Sequence, residues 1–271
     1  MKSKSIVVVT GASRGIGRNI ALYFAERDYL VIGTGRNQEK LNDLEEELKK
    51  LSPTSTTKVM DVTKPTDIEN LVSYVLKEYG QIDVWINNAG AFMAIGPTWE
   101  VEKEDWINDV QTNLFGTFHS VQAVIPVMLK QKFGRIINLA GGGTIGAFKY
   151  GNGYGTSKTG VARFTENLAA ELEQTPIKVF ALDPGLNDTD MTRYQRDSDV
   201  GNQYLSGIES LFEQNIDVPP NQAPEWAFHL SSGDLDAFSG RIVTVYDDIE
   251  ELKNQVRKGN DVDYLRLRLW K

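Results

Sequence analysis

Short apolar runs alternate with stretches of helical periodicity along almost the whole chain. Runs rich in Val, Ile and Leu at residues 6–10, 30–34, 58–60, 82–86, 135–139, 177–182 and 241–245 predict strands. Apolar positions recurring at three- and four-residue intervals over 16–27, 38–51, 65–79, 103–130, 153–174 and 224–230 predict helices. The 103–130 stretch is long enough to hold a break or two helices. The strands read as continuous apolar runs, as strands covered on both faces do. Strands and helices in alternation give an α/β fold, a doubly wound parallel sheet with helices on both faces. One domain is expected over residues 1–271, with no repeat and no long linker. Residues 187–222 are polar and irregular, and such an insertion is expected to serve as a substrate-binding loop or lid. Residues 247–271 form a C-terminal extension: one short helix carrying Ile249, Leu252 and Val256, then the alternating tail Leu265-Arg266-Leu267-Arg268-Leu269.

Composition narrows the function. Hydrophobic residues make up 41% of the chain, ample for a core. A net charge of −8 argues against nucleic acid or an anionic membrane as partner. There is no cysteine, hence no disulfide and no thiolate metal site. His119 and His229 lack metal-ligand spacing, so no metal site is expected. No signal-peptide core or membrane span is visible, which leaves the cytoplasm as the expected location.

In an open α/β sheet, ligands sit beyond the carboxyl ends of the strands. The first strand runs into Thr10-Gly11-Ala12-Ser13-Arg14-Gly15-Ile16-Gly17. A helix that begins there presents bare N–H groups and a partial positive charge, which attract a pyrophosphate. Glycine lets the backbone come close where a Cβ would clash. After the second strand comes Gly33-Thr34-Gly35-Arg36, where an NAD site commonly carries an acid. Arg36 and Arg14 together favour an adenosine 2′-phosphate, which implies NADP(H) over NAD(H). The third strand leads to Asp61-Val62. The fourth leads to Asn87-Asn88-Ala89-Gly90, whose amides can hold the loop around the adenosine half. The helix after the fifth strand carries Tyr154 and Lys158, which share one face at i and i+4. A nearby ammonium stabilises a phenolate, so Lys158 is expected to lower the Tyr154 pKa and make it a general acid/base. The sixth strand exits through Asp183-Pro184-Gly185-Leu186-Asn187-Asp188-Thr189, and the Thr189 hydroxyl can hold a carboxamide.

Taken together, T-G-A-S-R-G-I-G, N-N-A-G, T-N-L-F-G, Y-G-T-S-K and P-G-L-N-D-T, in that order over about residues 5–245, resemble the short-chain dehydrogenase/reductase family. The resemblance implies a Rossmann sheet of about seven strands in order 3-2-1-4-5-6-7, a nicotinamide cofactor and a homo-oligomer, dimer or tetramer. It makes Tyr154 the proton donor to a carbonyl, Lys158 a ligand of the nicotinamide ribose, and Asn113 the holder of a relay water. The cofactor's remaining contacts would come from Gly11, Ser13, Arg14, Gly15, Ile16, Gly17 and Arg36. Asp61 and Val62 would meet the adenine, and Asn87, Ala89 and Gly90 the adenine-side ribose and its loop. Pro184, Gly185, Asn187 and Thr189 would hold the nicotinamide end.

Two departures stand out. The family places a serine thirteen residues before its tyrosine, and that position here is Gly141. Losing one preorganised donor to the substrate oxygen costs about 10²–10³ in rate. Thr144, the N–H groups of Gly142 and Gly143, or a water or substrate group could replace it. The chain also ends its last strand in Val245-Tyr246-Asp247-Asp248 rather than the family's aspartate and two glycines. The reading is an NADPH-dependent carbonyl reductase, reversible as an alcohol dehydrogenase. Its substrate pocket is expected from Phe92, Met93, Ile95, Trp99, Phe148, Tyr150, Met191 and Tyr194, which suit an apolar or aromatic ketone. The competing expectations are a cofactor-binding scaffold without turnover and an NAD-linked alcohol dehydrogenase.

Overall fold

The computed structural model describes residues 4–258 and Leu267. Seven parallel strands form one sheet: β1 (Ile6–Val9), β2 (Leu30–Gly35), β3 (Thr56–Val59), β4 (Val84–Asn87), β5 (Gly134–Leu139), β6 (Ile177–Asp183) and β7 (Ile242–Thr244). Their order is 3-2-1-4-5-6-7, as the family resemblance implies. Side chains along each strand alternate between the two faces. Val7, Val9, Ile86, Ile137 and Leu182 join the core under α1 (Gly15–Ala25), α2 (Gln38–Leu51) and α10 (Gln222–Ser232). Val8, Ile32, Trp85, Ile136 and Val179 join the opposite core, under α3 (Pro65–Tyr79), α5 (Gly116–Gln131) and α6 (Asn152–Glu171). Burial on both faces is what made the strands read as unbroken apolar runs.

The helices follow their apolar stripes. In α2, Leu41, Leu44 and Leu48 are buried, and the Asn37 side chain caps the helix by accepting from the Lys40 N–H at 2.9 Å. In α3, Pro65 opens the first turn and Gly80 closes the last with φ +83°.

Three segments differ from expectation. The edge strand β3 starts two residues earlier than its apolar run, because Thr57 bonds to Glu45 and to the Leu41 carbonyl rather than packing as a hydrophobe. The 103–130 stretch does not break: α4 (Lys103–Val110) passes through a π turn, Gln111–Phe115, directly into α5. Residues 187–222 are not irregular. They fold into α7 (Asp190–Asp197), α8 (Asp199–Tyr204) and α9 (Gly207–Glu213), with Thr189 and Ser198 as caps. Each is too short to show periodicity in so polar a stretch.

After β7 comes α11 (Ile249–Arg257), as the extension predicts. The alternating tail lies outside the described residues except Leu267, whose carbonyl accepts from Arg163 at 2.9 Å. Among the described residues no helix is long and apolar enough to cross a membrane.

Helix α1 is fixed from behind by Phe24, fully buried with its ring 4.9 Å from Tyr29 and 5.7 Å from Phe228 in edge-to-face contact. Phe24→Ala is expected to lower stability by about 3–5 kcal/mol in urea unfolding. A loss under about 1 kcal/mol would show that α1 is not anchored there.

Candidate active site

The β1–α1 turn is built on backbone that only glycine adopts easily: φ is +65° at Gly11 and +55° at Gly15. A Cβ on Gly11 would stand 2.8 Å from the Ala89 Cα, and one on Gly17 would strike the Asn88 side chain. Helix α1 then begins behind an extended Arg14, with no side-chain cap and no acid in its first turn. Its first N–H groups are therefore left to an anion. They face a cavity of about 540 Å³ that also receives Ser13, Arg14, Ile16 and Arg36. The cavity runs past Asp61 and Val62, then Ala89 and Gly90, to Tyr154 and Lys158, and is closed by Pro184 and Thr189. An elongated, phosphorylated dinucleotide fits this donor set: an anion site in the middle, cations at one end and a phenol with an amine at the other.

The asparagine pair needs correction. Asn87 was expected at the ribose, yet it is buried and its amide is engaged on both sides below the cavity. Its Oδ1 accepts from Trp85 Nε1 at 2.9 Å and its Nδ2 donates to Asn138 Oδ1 at 2.8 Å. Asn88 lines the cavity instead, and its Nδ2 donates to the carbonyls of Thr10 at 2.8 Å and Gly11 at 3.2 Å. Strand parity carried this signal, because Asn87 ends β4 on the same face as Trp85. The Thr10 hydroxyl, also unforeseen, accepts from the N–H groups of Asn88 and Ala89, both at 3.0 Å.

At the other end, Gly185 and Asn187 shape the turn and do not line the cavity. Asn187 Nδ2 donates to the carbonyls of Pro184 at 2.7 Å and Gly185 at 3.1 Å. A Cβ on Gly185 (φ +69°) would meet Val245 at 2.8 Å. The Thr189 hydroxyl faces inward but is shared with the α7 cap, 3.2 Å from Thr192 Oγ1. Asn113 sits in the π turn, a geometry that recurs at functional sites. Its amide clamps Ala91 in both directions, at 2.8 and 2.9 Å, and donates to Ser157 Oγ at 2.9 Å. The Asn113 backbone carbonyl accepts from Thr117 Oγ1 at 2.8 Å.

Lys158 is buried and donates from Nζ to the Leu139 carbonyl at 2.8 Å. Burial pulls its pKa down to about 8, opposed by the Asp183 carboxylate. Tyr154 does not follow the expected direction. Burial pushes its phenol above the ordinary value, and the charges of Asp183 and Asp109 add to this. Phe92 covers one face of the phenol, stacked at 4.6 Å with 14° between planes, and Phe148 approaches it edge-on at 6.1 Å. Burial behind this aromatic wall sets the direction, and the ammonium stands 5.5 Å from the ring centroid.

Gly141 lies directly against the phenol: a Cβ there would sit 2.6 Å from Tyr154 Oη. Thr144 is not the substitute donor, since its hydroxyl donates to the Gly141 carbonyl at 2.6 Å and accepts from the Gly141 N–H at 3.2 Å. The N–H groups of Gly142 and Gly143 have no partner among the described residues.

On the substrate side, Phe92, Ile95, Phe148, Tyr150 and Met191 gather with Tyr154 in one apolar cluster. Trp99, Met93 and Tyr194 stay outside it, and Trp99 is 84% exposed. Their places are taken by Val200, Tyr204, Leu205, Ile208 and Phe212 from the unforeseen helices α8 and α9 and their junction. At the opposite end, Arg14 Nη1 meets Asp190 Oδ2 at 2.8 Å, and Lys40 Nζ meets the same oxygen at 3.5 Å. Arg36 is exposed and faces the cavity with no ion pair among the described residues.

The profile of the short chain dehydrogenase family matches residues 5–199. Among curated relatives, the NADP-dependent 3-hydroxy acid dehydrogenase YdfG of Escherichia coli K12 is 32% identical over 230 residues, 84% of this chain and 89% of that one. Among solved structures, actinorhodin polyketide ketoreductase with NADPH superposes with a TM-score of 0.82 at 31% identity, covering 89% of this chain and 95% of that one. An NAD+-bound xylitol dehydrogenase gives a TM-score of 0.82 at 27% identity, covering 90% and 98%.

The crowding at Gly141 gives a test. Both Gly141→Ser and Gly141→Ala are expected to displace the phenol and cut nicotinamide-dependent turnover about tenfold or more, with the serine no better than the alanine. A serine variant faster than the wild type would show instead that the site lacks a donor.

Proposed function

The chain belongs to the short-chain dehydrogenase family, and from that premise we propose an NADP(H)-dependent reductase that converts a ketone to an alcohol, reversibly. The observation that carries this reading is the placement of Tyr154 and Lys158 at one end of a cavity whose other end gathers Arg14, Arg36 and Lys40. Relatives of this fold serve both nicotinamide dinucleotides, so the fold does not decide between them. The cations support NADP(H), because no acid directly follows β2 to repel a 2′-phosphate and three basic groups reach the same cavity. YdfG and the actinorhodin ketoreductase support the same choice by their names.

A bound dihydronicotinamide supplies the hydride. Tyr154 gives its hydroxyl proton to the carbonyl oxygen. Its raised pKa suits this direction, since the phenol stays protonated at neutral pH. Lys158 remains a cation below about pH 8 and holds the ribose side of the site against Leu139. In place of a serine, the N–H groups of Gly142 and Gly143, which have no partner among the described residues, are the donors this segment has left for the developing charge on the substrate oxygen. The aromatic cluster around Phe92 and Phe148 selects an apolar or aromatic ketone and excludes water. A second copy of the chain would cover the exposed Phe115 and Phe118 on the α5 side, and light scattering in solution would read that assembly.

One observation favours a different reading. Gly141 supplies no second side-chain donor beside Tyr154 at the reacting oxygen, so the chain could bind cofactor without turning over. Tyr154→Phe separates the two: it should abolish ketone reduction and leave NADPH affinity within about twofold. Retained turnover would refute the acid/base role. For the wild type, reductive kcat/KM should be flat near neutrality and fall as pH rises through about 8, where Lys158 loses its proton. A profile still flat at pH 9 would contradict this. Arg36→Asp should move the preference toward NADH by roughly ten- to a hundredfold, the weight of one charge-assisted hydrogen bond. Equal wild-type dissociation constants for NADH and NADPH would defeat the cofactor assignment.

A further inference from the structure

Asp190 opens helix α7 in the segment that follows β6, yet its carboxylate reaches back across the cofactor cavity. Its Oδ2 meets Arg14 of the β1–α1 turn at 2.8 Å and Lys40 of the first turn of α2 at 3.5 Å. A third cation, Arg193, stands 3.9 Å from Oδ1 but is engaged by Asp188 through two bonds of 2.8 and 2.9 Å. Arg14 and Lys40, with Arg36 and Asn37, line the adenosine end of the cavity. An anion from another part of the chain therefore already holds two of the cations that a 2′-phosphate would need.

We propose that Lys40 and Asp190 set the cofactor preference, Lys40 as a third cation for the adenosine 2′-phosphate and Asp190 as its built-in competitor. This rests on the NADP(H) reading above. The Arg14 guanidinium holds the Asp190 carboxyl below the usual carboxylate range, so the competitor is anionic at neutral pH. The three side chains are between 42% and 59% exposed, and ion pairs so placed are weak. A phosphate dianion with three acceptor oxygens displaces a single carboxylate from such a site. NAD(H), lacking that phosphate, leaves the Asp190 contacts in place.

Calorimetric titration of the full chain with NADPH, NADH, adenosine 2′,5′-bisphosphate and adenosine 5′-monophosphate tests this. Asp190→Asn should tighten NADPH and the bisphosphate by about three- to tenfold and change NADH and the monophosphate by less than about twofold. Lys40→Gln should weaken the first pair of ligands by a similar factor and spare the second. In the Lys40→Gln background the gain from Asp190→Asn should shrink. NADH binding in each variant also reports that the site is folded. If Asp190→Asn shifts NADPH and NADH equally, or neither variant shifts either ligand, the assignment is overturned while the NADP(H) reading stands. If the wild type itself shows no preference for NADPH, both fall.

Discussion

A charged amine buried at the carboxyl edge of a sheet needs partners close by, because stripping it of water costs several kcal/mol. Lys158 meets that need with the Leu139 carbonyl at 2.8 Å and the field of Asp183. The bond links α6 to the end of β5, and therefore fixes how the helix is rotated over the sheet. Tyr154, four residues earlier on the same face, is placed by the same bond. The phenol, the glycine against it and the cavity floor all inherit their positions from this contact.

Beneath it lies a polar layer with its hydrogen bonds made. Trp85, Asn87, Asn138 and Thr165 form one buried chain of hydrogen bonds, and Asn113, Ala91 and Ser157 form another. A network of this kind rigidifies when complete and is costly when a member is missing. The buried Asp109 extends the support, accepting from the Met93 N–H at 2.8 Å and the Ala94 N–H at 3.2 Å. That places the loop carrying Phe92 against the phenol. The aromatic wall then raises the Tyr154 pKa, where the helix pattern alone suggested a decrease. The sequence shows that an ammonium is near; it does not show how much water the neighbouring rings remove.

Legibility followed the range of the interactions. Strand identity depends on apolar runs and their spacing, which a single sequence displays, whereas the strand order came from the resemblance to the family. The phosphate-binding turn was legible because Gly11 and Gly15 leave a local signature. The distinction between Asn87 and Asn88 depended on strand parity, a signal present but unused. The helices at Asp190–Asp197, Asp199–Tyr204 and Gly207–Glu213 were hidden because the first two are held by side-chain caps and all three contribute side chains to the cluster around the distant Phe92. The meeting of Arg14, Lys40 and Asp190 joins residues up to 176 positions apart, and no local pattern announces it.

The central claim turns on Gly141, which offers no side chain and whose missing Cβ would stand 2.6 Å from Tyr154 Oη. Turnover despite that absence can be read directly with NADPH deuterated at the transferable position and a panel of apolar and aromatic ketones, the products being analysed by mass spectrometry. The account predicts an alcohol carrying one deuterium at the former carbonyl carbon. Binding of NADPH with no labelled alcohol from any ketone would contradict it.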